Sequence, residues 1–256
     1  MKSTLIGIVV GFLLLGIAIL WSIAFQFDRF TWFFDLKALL IVLGGIVCST
    51  FIAYPHNKVL GAFRSYMKAL SRNEISVENY IQEIETLSAG TMEEESRTNP
   101  DEADEIGEAF LRDGLRMVIN KHPVDEVQRS MTERIDNTYR NDISEAKVIR
   151  NMAKIAPAFG VLGTLIGLVM MMRSLDSNNP ELMTSLGTGM GMALLSVFYG
   201  VLLSNFLFTP VAVKIENRAT QRVVLMNVIM EGIILLINDV PTEIIRDKLQ
   251  VFLPLR

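Results

Sequence analysis

The chain has 256 residues, half of them apolar, with 24 Lys and Arg against 28 Asp and Glu and a mean hydropathy of +0.36. A single cysteine excludes a disulfide framework and a Cys-rich zinc site, 17 Gly and 8 Pro exclude a collagen-like or low-complexity chain, and a net charge of −4 argues against a dominant nucleic-acid role.

In chain order, four stretches carry no charged side chain: Ser3–Trp21 (19 residues), Ala38–Tyr54 (17), Ile155–Met172 (18) and Leu182–Val213 (32). A helix of about 17–25 mostly apolar residues crosses a bilayer. Each stretch is therefore expected to span, the last ending near Pro210. The first is read as a retained span and not a signal peptide. Its apolar run exceeds a usual signal core, and Trp21 sits where an interfacial anchor would. Lys2, Lys58, Arg64, Lys68, Arg72, Lys147, Arg150, Lys154, Lys214, Arg218 and Arg222 lie on one side of these spans; Arg29, Lys37 and Arg173 lie on the other. The excess of basic residues places both termini and the large loop in the cytoplasm. Trp32, Phe33 and Phe34 read as an outer aromatic belt.

Four segments follow: 1–54 with spans 1 and 2, 55–150 as a cytoplasmic helical loop, 151–210 with spans 3 and 4, and 211–256 as cytoplasmic C-terminal helices. In the loop, Ile75, Tyr80, Ile81, Ile84 and Leu87 recur at helical spacing, and strand alternation is absent. Asn99-Pro100-Asp101 and His122-Pro123 are helix-start signals. From Val124 no breaker intervenes before span 3, which predicts one helix of about 45–50 residues. Such a helix would carry motion from cytoplasm to membrane. Glu93–Glu108 holds eight acids against Arg97 alone, a solvated segment or a docking patch for a basic partner. After Pro210 an amphipathic segment runs to about Asn238. A last helix begins at Val240-Pro241-Thr242, with Ile244, Ile245, Leu249 and Phe252 as its apolar positions.

The spans contain no Asp, Glu, His, Lys or Arg, the groups that normally mark an ion or proton path. They do contain Thr164, Thr184, Ser185, Thr188, Ser196, Tyr199, Ser204 and Asn205. These can line a wet path, or simply bond their own helix, but cannot exchange a proton near neutrality. A titrating carboxylate must then come from a partner. Gly7xxxGly11, Gly163xxxGly167 and Gly187xxxGly191, extended by Gly160 and Ala193, allow close helix approach and suggest an oligomer. Pro157 removes the donor to the Ala153 carbonyl, and Pro210 the donor to Phe206. The two prolines form a hinge layer or ion exit at the cytoplasmic edge, or in the case of Pro210 a helix end. No nucleotide-binding, zinc-protease or serine-hydrolase motif is present, so no enzyme and no cofactor is expected. His56 and His122 read as surface or capping residues.

Residues 155–171 (Ile-Ala-Pro-Ala-Phe-Gly-Val-Leu-Gly-Thr-Leu-Ile-Gly-Leu-Val-Met-Met) resemble the third span of the MotA/PomA flagellar stator proteins, and residues 192–205 (Met-Ala-Leu-Leu-Ser-Val-Phe-Tyr-Gly-Val-Leu-Leu-Ser-Asn) their fourth. Residues 33–45 are similar to the family's span 2 entry, and the stretches Glu-Gly-Ile-Ile-Leu-Leu-Ile and Pro-Thr-Glu-Ile-Ile-Arg-Asp-Lys-Leu to its tail. The resemblance implies an all-α integral protein of the bacterial inner membrane, with four transmembrane helices and cytoplasmic termini. It implies five copies around two copies of a MotB/PomB-type single-span partner, which brings the membrane aspartate and a peptidoglycan anchor. Flow of Na+ or H+ would turn the ring against the rotor protein FliG. Pro157 and Pro210 match the family's functional prolines. Thr164 matches a position associated with sodium-type members, and Asp35 an outer-mouth aspartate of one. Val197, beside Ser196, stands where the family usually has threonine. Thr164, Ser196, Tyr199 and Asp35 are the ion-pathway candidates, with a lean to sodium. Glu93, Glu94, Glu95 and Arg97 are the rotor-contact candidates, although the family's preceding basic residue is missing between Arg72 and Arg97. The spans 3–4 pair is shared with TolQ/ExbB-type energisers, the alternative reading.

Overall fold

A computed structural model of the chain describes residues 2–22, 31–70, 77–90, 109–175 and 182–252. Among them every regular element is a helix: α1 (Lys2–Ser22), α2 (Leu36–Ala53), α3 (His56–Leu70), α4 (Val77–Gly90), α5 (Ala109–Ile119), α6 (Val124–Ser174), α7 (Leu182–Leu202), a π-helical segment (Leu203–Phe208), α8 (Thr209–Ile237) and α9 (Thr242–Gln250). Among the described residues, three helical runs are long and apolar enough to cross a membrane: Thr31–Ala53, Val124–Ser174 and Leu182–Ile237. They contain the second charge-free stretch up to Ala53 and the whole of the third and fourth.

The chain divides into two compact units, Met1–Arg72 with Ser144–Ile215, and Asn73–Ile143 with Glu216–Arg256. The first holds the apolar helices. On α2 the buried residues Ala38, Val42, Ile46 and Thr50 recur every four positions, one stripe of a helix. The opposite face exposes Leu40, Val47, Phe51 and Ile52. On α6, Val161, Leu165, Val169 and Met172 are likewise exposed beside the buried Gly160, Gly163 and Gly167. Helices apolar on both faces suit a hydrocarbon solvent, where helices associate by packing small residues and not by expelling water.

The second unit has the opposite pattern, with apolar stripes turned inward and polar faces outward. Its core joins Ile81 and Ile84 of α4, Phe110, Leu111 and Leu115 of α5, Val127, Met131 and Ile135 of α6, Ile229 and Ile233 of α8, and Ile245 and Leu249 of α9. Burying each large aliphatic side chain contributes about 1.5–3 kcal/mol. On α9 the expectation is half met: Ile245 and Leu249 are buried, whereas Ile244 and Phe252 are exposed. Arg246 of α9 makes a two-pronged bond to Glu85 of α4 at 3.0 and 2.9 Å, and the Glu85 carboxylate holds the guanidinium pKa above its ordinary value.

Two helices of this unit stop in the same way. After α5, the His122 amide bonds Met117 O and the Lys121 amide bonds Val118 O; after α8, the Val240 amide bonds Leu235 O and the Asp239 amide bonds Leu236 O. Lys121 and Asp239 carry the positive φ values, 56° and 53°, that this closure requires. Each is followed two residues later by a proline, Pro123 or Pro241, which cannot continue a helix.

The helix predicted to start at Val124 does so, and runs 51 residues to Ser174, about 75 Å at 1.5 Å per residue. Pro157 lies inside it. Pro210 does not end its helix, contrary to that reading of the sequence: helical structure continues from Leu182 to Ile237. The reason is the π turn just before it, where the Thr209 amide bonds Ser204 O, five residues back. A widened turn absorbs the bond that a proline cannot make. The helix-start signal at Asn99-Pro100-Asp101 and the acidic run Glu93–Glu108 lie outside the described residues.

Candidate functional site

The candidate site is built on the packed faces of α6 and α7. Their approach is set by glycine. A Cβ at Gly160 would lie 2.9 Å from Ser196 O, and one at Gly200 would lie 2.7 Å from Ala156 O. Gly167 and Gly189 oppose one another in the same way, each added Cβ falling within 2.7–3.0 Å of the other's carbonyl oxygen. Gly163 faces the Ser196 side chain, where a Cβ would collide with Oγ. The contact residues on α7 are thus Gly189, Ala193, Ser196 and Gly200. The Gly187xxxGly191 motif singled out in the sequence is not among them: added Cβ atoms at Gly187 and Gly191 meet nothing within 4 Å. Period decides this, since residues 189, 193, 196 and 200 share one helical face and 187 and 191 lie off it.

Tyr199 joins this helix pair to the start of α2. Its hydroxyl donates to Phe33 O at 2.7 Å and accepts from the Asp35 amide at 2.9 Å. The Asp35 carboxylate is the N-cap of α2, with Oδ1 accepting from the Lys37 amide at 2.8 Å and the Ala38 amide at 3.1 Å. The sequence brought Asp35 forward through family resemblance. Its capping role was also legible as an Asp directly before an apolar helical run. Phe33 packs edge-on against Phe198 at 6.4 Å, while Trp32 and Phe34 point outward.

The other hydroxyls divide into two groups. Thr164 Oγ1 donates to Val161 O at 2.6 Å, Ser196 Oγ to Met192 O at 2.7 Å and Thr188 Oγ1 to Thr184 O at 2.8 Å. These satisfy their own helices, which is the bland reading of such groups. Ser204 Oγ instead crosses to α6 and donates to Ala153 O at 2.8 Å, in a buried contact. Ala153 is the residue whose carbonyl Pro157 leaves without a helical donor. The Ala153 carbonyl that Pro157 leaves unserved and the π turn before Pro210 are therefore linked through one serine, a residue that the sequence shows only as one polar group among several.

Where α3 packs on α6, Ser65 Oγ donates to a Glu145 carboxylate oxygen. Tyr66 beside it has its hydroxyl pKa pushed up by burial. The rotor-contact candidates Glu93, Glu94, Glu95 and Arg97 lie outside the described residues.

The sequence pattern of the MotA/TolQ/ExbB proton channel family matches residues 102–228. The uncharacterised protein YtxD of Bacillus subtilis is 31% identical over 231 residues, covering 90% of this chain and 82% of that protein. The chain belongs to the MotA/TolQ/ExbB proton channel family. The Motility protein A of Borreliella burgdorferi is 29% identical over 252 residues, 98% of this chain and 93% of that protein. The solved structure of the flagellar MotAB stator complex from Bacillus subtilis superposes on 96% of this chain, and on 95% of its matching chain, with a TM-score of 0.80 at 22% identity. The chain therefore shares the fold of that matching chain over almost its whole length.

Proposed function

We propose that this chain is the ring-forming subunit of an ion-driven flagellar stator. In this reading it crosses the bacterial inner membrane four times, with both termini and the large loop in the cytoplasm. It works as a homopentamer around a MotB/PomB-type single-span partner and pushes the rotor protein FliG. The observation that carries this is a pairing of likeness and lack. The chain matches a Motility protein A over 98% of its length, yet none of its charge-free stretches contains an Asp, Glu, His, Lys or Arg. A membrane carboxylate must come from another chain.

Four spans are supported by α1, a 21-residue helix with no charge beyond Lys2, added to the three apolar runs. The cytoplasmic side is supported by the clustering of Lys and Arg. The ion path is assigned to the α6–α7 face bearing Thr164, Ser196 and Tyr199. Asp35 contributes by capping α2 and fixing the segment that Tyr199 grips, and Pro157 and Pro210 supply the bend.

The test is expression with the cognate single-span partner in a cell lacking its own stators. Tethered cells should rotate, and the chain without that partner should drive none. Rotation by the chain alone, or none with the partner present and assembled, would sink the reading.

A further inference from the structure

Two helix defects of the first unit meet at one side chain. Pro157 has no amide hydrogen, so the carbonyl four residues earlier, on buried Ala153, loses its donor. A buried carbonyl left without a partner costs about as much as a lost hydrogen bond, and in hydrocarbon no water can replace it. Ser204 Oγ supplies the missing donor at 2.8 Å. Ser204 is itself part of the second defect, since its own carbonyl accepts the Thr209 amide in the π turn that precedes Pro210. A side chain as short as serine reaches across only because the backbones nearly touch. A Cβ at Gly200, one turn before Ser204, would lie 3.2 Å from Pro157 Cα.

We infer that Ser204 is a positioning residue for ion-driven rotation: its hydroxyl ties the backbone gap at Pro157 to the π turn before Pro210, so that the two helices bend together. The inference rests on the stator reading. The operative group is the hydroxyl and not the side-chain volume, because the contact is a hydrogen bond to an otherwise unserved acceptor. The dependence is conditional on Pro157. A residue with an amide hydrogen at 157 would serve Ala153 O from within α6, and Ser204 would become dispensable for that bond.

The experiment uses the full complex with its single-span partner, reconstituted in lipid, and the variants Ser204→Ala, Ser204→Thr, Pro157→Ala and Pro157→Ala with Ser204→Ala. With carbonyl-labelled alanine and nitrogen-labelled lysine in this chain and an unlabelled partner, only Ala146 and Ala153 directly precede a labelled lysine, so a doubly filtered solid-state NMR spectrum reports these two carbonyl sites. Ser204→Ala should shift one signal and leave the other, and Ser204→Thr should restore it. In the Pro157→Ala background, adding Ser204→Ala should move neither. In tethered cells Ser204→Ala should slow rotation about tenfold, the factor that corresponds to about 1.4 kcal/mol for one buried hydrogen bond, while Ser204→Thr turns near wild-type speed. Unshifted carbonyl signals in Ser204→Ala overturn the tie itself. Wild-type speed in Ser204→Ala overturns its role in rotation, as does equal slowing of the Ala and Thr variants when the Thr variant keeps the native carbonyl signal. A wild-type complex that turns no rotor defeats the stator reading instead, and the carbonyl signals still report on the bond.

Discussion

The Asp35 amide donates to the Tyr199 hydroxyl at 2.9 Å, and the same hydroxyl donates to Phe33 O at 2.7 Å. One phenol on α7 thus holds the backbone on both sides of Phe34, where the chain enters α2. The Asp35 carboxylate is meanwhile occupied with the first amides of α2. Tyr199→Phe leaves a backbone carbonyl and amide without this partner and should destabilise the protein by about 1–3 kcal/mol. The check is the thermal midpoint of the purified complex against wild type.

Asp35 is expected to act as a cap and not as an ion ligand. Asparagine caps a helix about as well as aspartate, whereas alanine costs about 0.5–2 kcal/mol. Asp35→Asn should therefore keep both thermal stability and rotation speed, and Asp35→Ala should lower the thermal midpoint. A stable Asp35→Asn protein that no longer rotates would show that the charge itself is needed.

Glycines of the α6–α7 contact should be intolerant of any side chain. Gly160→Val and Gly167→Val place atoms against backbone of the facing helix, and overpacking of this kind costs about 1–3 kcal/mol or more. Gly44→Ala and Gly187→Ala, whose Cβ atoms would meet nothing within 4 Å, should not lower the isolated chain's stability, since alanine is the better helix former. Urea or thermal melts of the four variants test the contrast directly. A loss of assembly confined to Gly187→Ala would place that open face at an intermolecular contact.

The transported ion is Na+ or H+, and the lean to sodium, which rests on Thr164, has a direct test. Rotation should rise with sodium at constant pH. Thr164→Val, which loses the hydroxyl bonded to Val161 O, should raise the sodium concentration needed for half-maximal speed. Speed that ignores sodium and follows pH would assign the path to protons.

In the second unit, Ile233 is fully buried in the core, and Ile233→Ala should cost about 2–5 kcal/mol. Arg246→Ala should cost less, because the Arg246 side chain is more than half exposed and solvent screens its pair with the largely covered Glu85. The Arg246 pKa is raised from a value already far above neutrality. Stability from that ion is complete below the ordinary arginine value and is lost only as pH rises through the raised one. Salt, and not pH near 7, should therefore modulate it, which denaturation at two ionic strengths would check.

Much of this architecture was legible along the chain, because helix formation and membrane insertion depend on local patterns. A continuous absence of charge located the apolar helices, and the His122-Pro123 stop placed the start of α6 at Val124. The absence of Asp, Glu, His, Lys and Arg from the spans, and with it the need for a partner, is a property of composition alone. Tertiary structure decided which groups meet. Gly187 and Gly189 look alike in sequence, yet only the facing helix makes one of them a contact. Pro210 reads either as a hinge or as a helix end until the π turn before it is seen. The sequence shows that Pro157 deprives Ala153 of a donor. That the replacement is Ser204, 51 residues away, depends on how closely two helix backbones pack, a distance that no local pattern encodes.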